Sequence, residues 1–484
     1  MEKNSFQIYN VDYKISKIQW LYLFFYSTIM ATVTSVNPYT QQVNATFETL
    51  SDNEVNMIID RAHQAYLSRK NLSFTDRAQY CFQLADLLDK HNDELAKLET
   101  MEMGRLLSVA KKWLTSTADL IRWYAHNAES YLAPKQFNEY WIQWITQYDP
   151  LWVIFWVAPW NFPFNQLLRA AVANIMAWNT VVYKHASNVP LCAQAIHDLF
   201  EKAWFPEWVY TNLFVHSSQS EFIIAHKYIA WVNLTWSEGA WSAIWSLAWK
   251  YLKPSVLELW WNDAFVLLDH NDTEAMANVA MQCRISNWWQ RCNASKRFIV
   301  LEKHYDQFVD ALVSYMEWLV LGDPMHTDTT LPPLAKKQLV EEVHQQVTDT
   351  IAQWAICKTW WSALMWNFYA PTVLAHVKPG MVSFEQEIFG PVASVILSWS
   401  IEESIALANQ SEFWLSAVVY WDNSKQCQSV AHRLQWWMIF INMPAWSQAS
   451  LPFGGIKKSW YGKENGPDWL RAFTNKKVII LKKE

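Results

Sequence analysis

The fold is decided by the stretch VIFWVAPWNFPF at residues 153–164, where a short apolar run ends in a loop bracketed by two prolines. A run of this length, rich in β-branched residues and followed by turn residues, is typical of a buried strand. Similar runs alternate with helical segments along the following hundred residues. They are Val153–Val157, Thr180–Tyr183, Val209–Val215, Ala230–Leu234 and Ala264–Leu268. Strands that alternate with helices predict a doubly wound α/β layer.

A second α/β series follows downstream and predicts a second domain. Its expected strands are Arg297–Leu301, Val392–Leu397, Ser416–Tyr420 and Met438–Asn442. The basic and apolar tail at Lys476–Lys483 predicts one last strand.

The residues before 151 have a different texture. Between residues 52 and 132 the apolar positions recur every three or four residues, which predicts amphipathic helices. Residues 136–148 alternate polar and bulky side chains, which predicts an exposed strand or hairpin. Nearer the N-terminus, the apolar stretch Trp20–Tyr26 is too short for a membrane span. A signal-like segment and an upstream extension with its working start at Met30 both stay open as interpretations.

The composition is that of a globular protein with ample core. The 484 residues are 52% hydrophobic and 17% charged, with a formal net charge of -6. These values exclude disorder, collagen-like repeats and a polytopic membrane protein, and they argue against a nucleic-acid partner, which needs a basic face. The six cysteines form no C-x-x-C pair, which favours a reducing, cytoplasmic location. No metal is expected, because the histidines lack metal-ligand spacing.

Three residues have side chains suited to nucleophilic catalysis. Cys292 lies in a basic segment that would stabilise a thiolate. Glu258 stands between two leucines, where desolvation would raise its pKa toward that of a general base. Asn161, between two prolines, could aim an amide N–H at a reacting oxygen. Each alone also fits a structural role, as an inert core thiol, an ordinary glutamate or a strand-ending turn.

Together with further motifs, these residues resemble the aldehyde dehydrogenase superfamily, and in particular its succinate-semialdehyde dehydrogenase-like branch. The resemblance runs from about Thr32 to Lys483. The matching segments, in order, are P-W-N-F-P at 159–163, Lys184, Glu258, Q-x-C at 290–292, G-D-P at 322–324, E-I-F-G-P-V at 387–392, Asn442 and P-F-G-G-I-K-K-S at 452–459.

The resemblance implies a mechanism for oxidising an aldehyde. The Cys292 thiolate attacks the aldehyde carbon, and the Asn161 side chain with the Cys292 backbone N–H holds the oxyanion. A hydride passes to the nicotinamide and leaves a thioester, which a water activated by Glu258 hydrolyses. Relatives that pass the acyl group to coenzyme A generally lack this glutamate.

The resemblance also implies a cofactor site for NADP or NAD. Lys184 would bind the adenosine ribose and Glu387 the nicotinamide ribose, with Trp160 and Phe389 close to the nicotinamide. The remaining expected cofactor residues are Ser187 and Ser237. Because Ser187 is small and uncharged, nothing there repels a 2′-phosphate, so NADP is at least as strongly expected as NAD.

The substrate is less firmly indicated than the chemistry. Succinate semialdehyde is expected, with Arg169 as the residue that would bind its carboxylate. An ordinary salt bridge is the alternative interpretation of Arg169. Ser447 and Ser450 are further candidates for the carboxylate end. Another small aldehyde, oxidised by the same mechanism, stays open.

The expected organisation is a Rossmann-type NAD(P)-binding domain, a catalytic α/β domain and a strand arm for oligomerisation. The predicted bounds are 34–132 with 151–257 for the cofactor domain, 258–443 for the catalytic domain and 133–150 with 444–484 for the arm, after an extension at 1–33 of uncertain status. By resemblance, such an arm implies a homodimer or homotetramer.

Tryptophan stands at many positions where the family has glycine. The chain has 9 glycines and 33 tryptophans, whereas glycine alone is usually about 7% of a protein. The family's G-S-x-x-x-G step beneath the pyrophosphate appears here as W-S-E-G-A-W at 236–241. The other exchanged positions are Trp152, Trp156, Trp178, Trp260, Trp261, Trp289, Trp414, Trp437 and Trp460. Taken literally, such a chain should neither fold well nor bind NAD(P).

We hypothesise that most of these tryptophans are a decoding artefact, in which UGA codons that the source reads as glycine were translated as tryptophan. The exchange goes in one direction, while Trp160, which the family motif requires as tryptophan, is in place. UGG codons at positions 236, 241, 260 and 289 would refute the hypothesis. The alternative is a glycine-poor pseudoenzyme that acts as a structural or binding subunit.

Overall fold

The stretch at 153–164 lies at the centre of a six-stranded sheet. We describe a computed structural model for residues 31–235, 238–258, 261–285, 290–359, 362–462 and 464–482. In chain order, its strands are β1 (Thr32–Val36), β2 (Val43–Glu48), β3 (Lys135–Glu139), β4 (Ile142–Pro150), β5 (Val153–Val157), β6 (Thr180–Lys184), β7 (Tyr210–Asn212), β8 (Ile229–Thr235), β9 (Ser255–Glu258), β10 (Ala264–Asp269), β11 (Arg297–Leu301), β12 (Ile356–Cys357), β13 (Thr372–Ala375), β14 (Val392–Ser398), β15 (Phe413–Trp414), β16 (Ser416–Trp421), β17 (Met438–Ile441), β18 (Ile456–Lys457), β19 (Trp460–Tyr461) and β20 (Thr474–Lys482).

The α-helices surround these strands. They are α1 (Asp52–Arg69), α2 (Phe74–Lys90), α3 (Asn92–Met103), α4 (Leu107–Leu132), α5 (Asn165–Met176), α6 (Pro190–Lys202), α7 (Ser220–Ala225), α8 (Glu238–Lys250), α9 (Thr273–Ile285), α10 (Glu302–Glu317), α11 (Lys337–Ala352), α12 (Val382–Glu385), α13 (Ile401–Asn409), α14 (Ser424–Ala431) and α15 (Gly466–Ala472). None of the helices in the described residues is long and apolar enough to cross a membrane.

The first sheet has the order β19-β9-β8-β5-β6-β7, and all its neighbours are parallel except β19 with β9. Alternate residues of β5 point to opposite faces of this sheet. Ile154 and Trp156 join a core with α2, α4 and α5, whereas Val153 and Phe155 join a core with α1 and α7. The sheet is therefore covered on both faces, which confirms the predicted doubly wound α/β layer.

The second sheet has the order β12-β13-β14-β11-β10-β16-β17 and is likewise parallel from β13 onward. Helices α11 and α13 cover one face and α9 and α10 the other. Ala264–Leu268 was grouped with the first series of strands, although it falls within the range 258–443 predicted for the catalytic domain, and that grouping was wrong. This strand is β10 and pairs with β11 and β16 in the second sheet.

The strand arm is a three-stranded antiparallel sheet of order β20-β4-β3. The hairpin expected at 136–148 and the final strand expected at Lys476–Lys483 are both confirmed. The strand expected at Val209–Val215 is shorter and is limited to β7. The assignment of whole domains to the predicted residue ranges stays a prediction.

Several tryptophans have a backbone conformation that L side chains rarely adopt. Six of them in the described residues have a φ in the left-handed region: Trp152 (115°), Trp178 (67°), Trp204 (58°), Trp208 (67°), Trp354 (77°) and Trp366 (58°). Glycine is the residue that tolerates this conformation without steric cost. Trp152 and Trp178 are among the positions where the sequence analysis expects glycine. The structure adds Trp204, Trp208, Trp354 and Trp366 to the tryptophans whose backbone favours glycine.

Other tryptophans at family glycine positions are buried in strands. Trp156, Trp414 and Trp460 are buried, and each has an indole N–H without a hydrogen-bond partner in the described structure. A buried indole normally finds an acceptor for this donor. Trp437 is partly exposed and donates to the carbonyl of Pro452. The positions 236, 260 and 289 lie outside the described residues.

Candidate active site

Two of the three predicted catalytic residues, Glu258 and Cys292, line one cleft, and Asn161 is hydrogen-bonded to the chain just before Cys292. Glu258 is the last residue of β9, Cys292 lies just before β11, and Asn161 lies in the loop between β5 and α5. This cleft also contains Phe162 of the loop that carries Asn161. Parallel α/β sheets commonly bind ligands beyond the carboxyl ends of their strands, which is where β5 and β9 deliver Asn161 and Glu258.

Glu258 is almost fully buried, and its environment favours the protonated form. Burial raises the pKa of its carboxyl well above the ordinary value, and the nearby charge of Glu464 raises this pKa further, while Arg169 lowers it. The Thr235 hydroxyl donates to Glu258 Oε2 over 3.4 Å. The direction agrees with the sequence-based expectation that desolvation raises this pKa.

The environment of Cys292 differs from the expected one. Burial and the charge of Glu258 raise the pKa of its thiol well above the ordinary value, although Lys296 and Arg291 lower it. The expectation of a setting that stabilises the thiolate was therefore wrong in direction. Lys296 is paired with Glu387, with Nζ 2.8 Å from Oε1, so part of the basic character is neutralised. The Glu258 carboxyl and the Cys292 thiol line the same cleft, and the thiol lowers the pKa of this carboxyl in turn.

The Asn161 amide is fixed beside the nucleophile segment. Its Nδ2 donates to the carbonyl of Gln290 over 3.0 Å, and its Oδ1 accepts from Gln166 Nε2 over 3.3 Å. The carbonyl of Asn161 accepts a hydrogen bond from Arg105, which is buried and also paired with Glu99. These contacts lock the loop against the chain that leads to Cys292, and its role as an oxyanion donor stays a prediction.

Arg169 lines the cleft, but its charge is already paired. Its guanidinium forms an ion pair with Glu464, and both side chains are buried. The salt bridge that was the alternative interpretation of Arg169 is thus present, and its expected role in binding the substrate carboxylate stays a prediction. Glu464 lies far away in the sequence, between β19 and α15, so sequence reasoning missed it.

Of the two serines expected at the carboxylate end of the substrate, one lines the cleft and the other does not. Ser447 lines the cleft together with Cys292 and Arg169, whereas Ser450 does not line it. The cleft also contains Arg291, which sequence reasoning missed although it directly precedes the nucleophile. Its position next to Cys292 was the available signal.

The residues expected near the nicotinamide also come together. The rings of Trp160 and Phe389 meet edge to face, with centroids 5.8 Å apart. Glu387 accepts a hydrogen bond from the backbone N–H of Trp261 over 3.2 Å and is paired with Lys296. Lys296 also donates to the carbonyl of Cys292, so it connects the nucleophile segment with Glu387.

The residues expected at the adenosine end lie at the carboxyl end of β6. Lys184 ends this strand, and burial lowers the pKa of its ammonium group, as does the nearby charge of Lys336. In the part of the chain that the structure describes, no carboxylate forms an ion pair with Lys184. Ser187 lines a second cleft, together with Asn212. Ser237 lies outside the described residues.

No group of three or more histidine, cysteine or acidic side chains among the described residues is arranged to hold a metal ion. All six cysteines are free thiols. The polar groups of the cleft are thus a thiol, carboxyls, guanidinium groups and amides, which together suit acyl chemistry on a carbonyl carbon.

This fold and cleft define a known class of enzyme: the chain belongs to the aldehyde dehydrogenase family, whose family model matches residues 25–479. It is 37% identical over 447 residues to a succinate-semialdehyde dehydrogenase (NADP+) from Deinococcus radiodurans, which covers 92% of this chain and 94% of the relative.

Two solved structures are similarly related. Succinic semialdehyde dehydrogenase from Streptococcus pyogenes, in complex with NADP+, superposes with a TM-score of 0.90 at 33% identity and covers 93% of this chain and 100% of its own. An NAD+ complex of aldehyde dehydrogenase from Bacillus cereus has a TM-score of 0.90 at 29% identity, with 93% of each chain covered.

Proposed function

We propose that the protein oxidises succinate semialdehyde to succinate with NADP or NAD. The observation that carries this proposal is the meeting of Cys292 and the buried Glu258 in one cleft. Relatives similar over nearly the whole chain are named for this substrate, which supports the choice among aldehydes.

The first half of the reaction uses the thiol and an amide. Because its pKa is raised, the Cys292 thiol must first give its proton to water in the cleft, and the thiolate that results is the nucleophile. The sulfur then bonds to the aldehyde carbon, and the former carbonyl oxygen becomes an oxyanion. Asn161 and the Cys292 backbone N–H are the proposed donors to this oxygen.

The second half of the reaction uses Glu258. A thioester on Cys292 is hydrolysed when Glu258 takes a proton from the attacking water, and the thiol leaves as the carboxylic acid forms. A carboxyl with a raised pKa is suited to this task, since its conjugate base is stronger than an ordinary carboxylate.

The chemistry of several described residues suits a bound dinucleotide. Lys184 is a largely buried cation that lacks an acidic partner in the described structure, so it suits hydroxyl or phosphate oxygens of a ligand. Glu387, Trp160 and Phe389 would hold the nicotinamide end, and Ser187 the adenosine end. When bound, the cofactor accepts the hydride that leaves the substrate carbon.

We also propose a cytoplasmic homo-oligomer. The strand β20 exposes four consecutive apolar side chains, Val478, Ile479, Ile480 and Leu481, on an edge of the three-stranded sheet. Exposed apolar patches of this kind mark contact surfaces, which supports a homodimer or homotetramer. The free thiols support the reducing compartment.

A panel of substrates and cofactors tests the proposed function. The full chain, expressed with glycine at the family glycine positions, should oxidise succinate semialdehyde with NADP or NAD and prefer it to butanal, an uncharged aldehyde of equal length. Cys292→Ala should abolish the activity. Equal turnover of the two aldehydes would refute the proposed substrate, and activity without Cys292 would refute the mechanism.

The tryptophans at left-handed φ favour one alternative, a pseudoenzyme that acts as a structural subunit. Its test is dinucleotide binding, measured by calorimetry. If the glycine-containing chain binds neither NADP nor NAD, the pseudoenzyme is favoured and the oxidoreductase is refuted.

A further inference from the structure

We propose that Lys296 regulates the nucleophile in response to what Glu387 binds. The ammonium group of Lys296 is held by Glu387, and it turns toward Cys292 when a ligand in the cofactor site takes over that carboxylate. This inference rests on the proposed function, which it deepens by naming how the thiol responds to an occupied site. Lys296 acts through Cys292 and is therefore a positioning residue.

The ammonium group of Lys296 lies between the two residues that it connects. Its Nζ is 2.8 Å from Glu387 Oε1, and it also donates to the carbonyl of Cys292. The side chains of Lys296 and Glu387 are 2% and 8% exposed. Because little solvent screens a charge in such a place, the position of this ammonium group acts strongly on its neighbours.

Glu387 can bind hydroxyl groups of a ligand in addition to its present partners. Its Oε2 accepts a hydrogen bond from the backbone N–H of Trp261 over 3.2 Å, which glycine at this position would donate equally. A carboxylate has about four acceptor sites. Each hydroxyl that donates to Glu387 draws on the negative charge that holds Lys296, so a bound ligand weakens the ion pair.

The side chain of Lys296 can turn while its backbone stays in place. Its backbone N–H donates to the carbonyl of Asp263 over 3.0 Å, which fixes the main chain just before β11. The stem of a lysine is flexible, and its ammonium group is a compact charge with three donors. The carbonyl that Lys296 contacts belongs to the same residue as the thiol, so a small rotation of the stem brings the charge closer to the sulfur.

The thiol of Cys292 interacts with charged groups on several elements. They are Glu258 on β9, Arg169 on α5, Asp263 before β10, and Arg291 and Lys296 before β11. Burial raises the pKa of the thiol most and the acidic groups raise it further, whereas Lys296 and Arg291 lower it. Since the thiolate is the reactive form, a Lys296 ammonium group that moves toward the sulfur makes Cys292 more reactive.

A double-mutant cycle on Lys296 and Glu387 tests this link without cofactor or turnover. The rate at which iodoacetamide alkylates Cys292 is measured over a range of pH by mass spectrometry of the Cys292 peptide, on the full chain with glycine at the family glycine positions. Lys296→Gln should lower this rate by about 3-fold and shift the pH profile to higher pH, because a loss of thiolate of about 10-fold is partly offset by its greater nucleophilicity. Glu387→Gln should raise the rate by about 3-fold and shift the profile to lower pH.

The double variant distinguishes a moving charge from a fixed one. If Lys296 stayed in place, the two substitutions would change the logarithm of the rate independently, and their effects would add. We expect instead that Glu387→Gln gives no gain in the Lys296→Gln background. Equal gains in both backgrounds would refute the inference.

Two further variants make the result specific. Lys296→Arg keeps the charge and should restore part of the rate that Lys296→Gln loses. Lys303→Gln removes an exposed ammonium group that is paired with Asp269, and it should leave the rate unchanged. Thermal unfolding shows whether each variant is folded. If Lys296→Gln is not, Glu387→Gln alone decides, and no rise in its alkylation rate refutes the inference.

NADP and NAD are the ligand probes, and calorimetry shows whether each protein binds them. The factor by which saturating NADP changes the alkylation rate should be about 3-fold larger in the parent than in Lys296→Gln, since shielding of the thiol acts alike on both. If NADP binds and the two factors are equal, the inference is refuted and the proposed function stands. If neither dinucleotide binds but the cycle is not additive, the proposed function is refuted and the link between Lys296 and Glu387 stands.

Discussion

At the scale of single residues, the cleft couples three buried charges. The negative charge of Glu464 raises the pKa of Glu258, and the positive charge of Arg169 lowers it. Arg169 and Glu464 also form an ion pair with each other. If Glu258, Glu464 and Arg169 were all charged, this buried site would carry a net negative charge. The protonation of Glu258 therefore depends on the pair beside it.

Substitutions in this pair should move the pH dependence of thioester hydrolysis in opposite directions. Glu258 acts as a base only when deprotonated, so the rate falls as pH drops through its pKa. Glu464→Gln removes a repelling charge, lowers the pKa of Glu258 and shifts the acid limb to lower pH. Arg169→Gln removes the stabilising charge and shifts the limb to higher pH.

The acid limb is measured by single-turnover kinetics: Cys292 is first acylated rapidly, and the rate of thioester hydrolysis is then recorded over a range of pH. Glu402→Gln, which removes an exposed acid, is the control and should not shift the limb. Shifts in the same direction for both cleft variants would contradict the electrostatic account.

Sequence reasoning succeeded for Glu258 because its flanking leucines report burial directly. It failed for Cys292 because charge along the chain does not reveal where the charged groups point. Lys296 bonds to Glu387, and the guanidinium of Arg297 donates to backbone carbonyls in the second domain core. The partner of Arg169 could not be found either, since Glu464 is close to it only in the folded chain.

At the scale of elements, three helices end in the same way with tryptophan in the place of glycine. After α6, the backbone N–H of Trp204 donates to the carbonyl of Glu201 over 2.9 Å, and the backbone N–H of Phe205 donates to the carbonyl of Phe200 over 3.1 Å. This is the Schellman motif, whose left-handed residue is usually glycine. The ends of α5 at Trp178 and of α11 at Trp354 have the same two hydrogen bonds.

Glycine should therefore stabilise these helix ends where the tryptophan does not pack. Trp204 and Trp354 are 79% and 88% exposed, so their replacement loses little contact. Trp204→Gly and Trp354→Gly should each raise the free energy of unfolding by about 1 kcal/mol. Urea unfolding of the full-length chain measures the change.

The matched control is Trp318, which is 81% exposed and ends α10 with a φ of -78°. Trp318→Gly should give no gain and should cost up to about 1 kcal/mol. Equal effects at all three positions would show that backbone conformation is not the cause. UGG codons at 204 and 354 would contradict the decoding hypothesis at these helix ends.

Long elements were predictable from sequence, and short ones were not. A strand or hairpin in the region of β3 and β4 was expected from alternation, and the final strand β20 from its basic and apolar composition. The strands β9, β13 and β19 were missed because two to four residues carry no measurable period. Strand β10 was found, but periodicity identifies a strand without identifying its neighbours, so it was assigned to the wrong sheet.

At the scale of the whole molecule, the cleft joins segments that are remote in sequence. Glu258 comes from the first sheet, Cys292 precedes a strand of the second, and Ser447 and Glu464 come from the C-terminal part. The C-terminal strand β19 also pairs with β9, directly at Glu258. The site therefore exists only when both sheets and the C-terminal part are assembled.

The most direct test of the central claim is trapping of the proposed thioester. Glu258→Gln, made in the chain with glycine at the family glycine positions, cannot activate water. After incubation with succinate semialdehyde and NADP or NAD it should therefore accumulate an acyl adduct on Cys292, detected by mass spectrometry of the Cys292 peptide. Cys292→Ala should carry no adduct. Oxidation of the aldehyde with no adduct at Cys292, or with the adduct on another cysteine, would contradict the account.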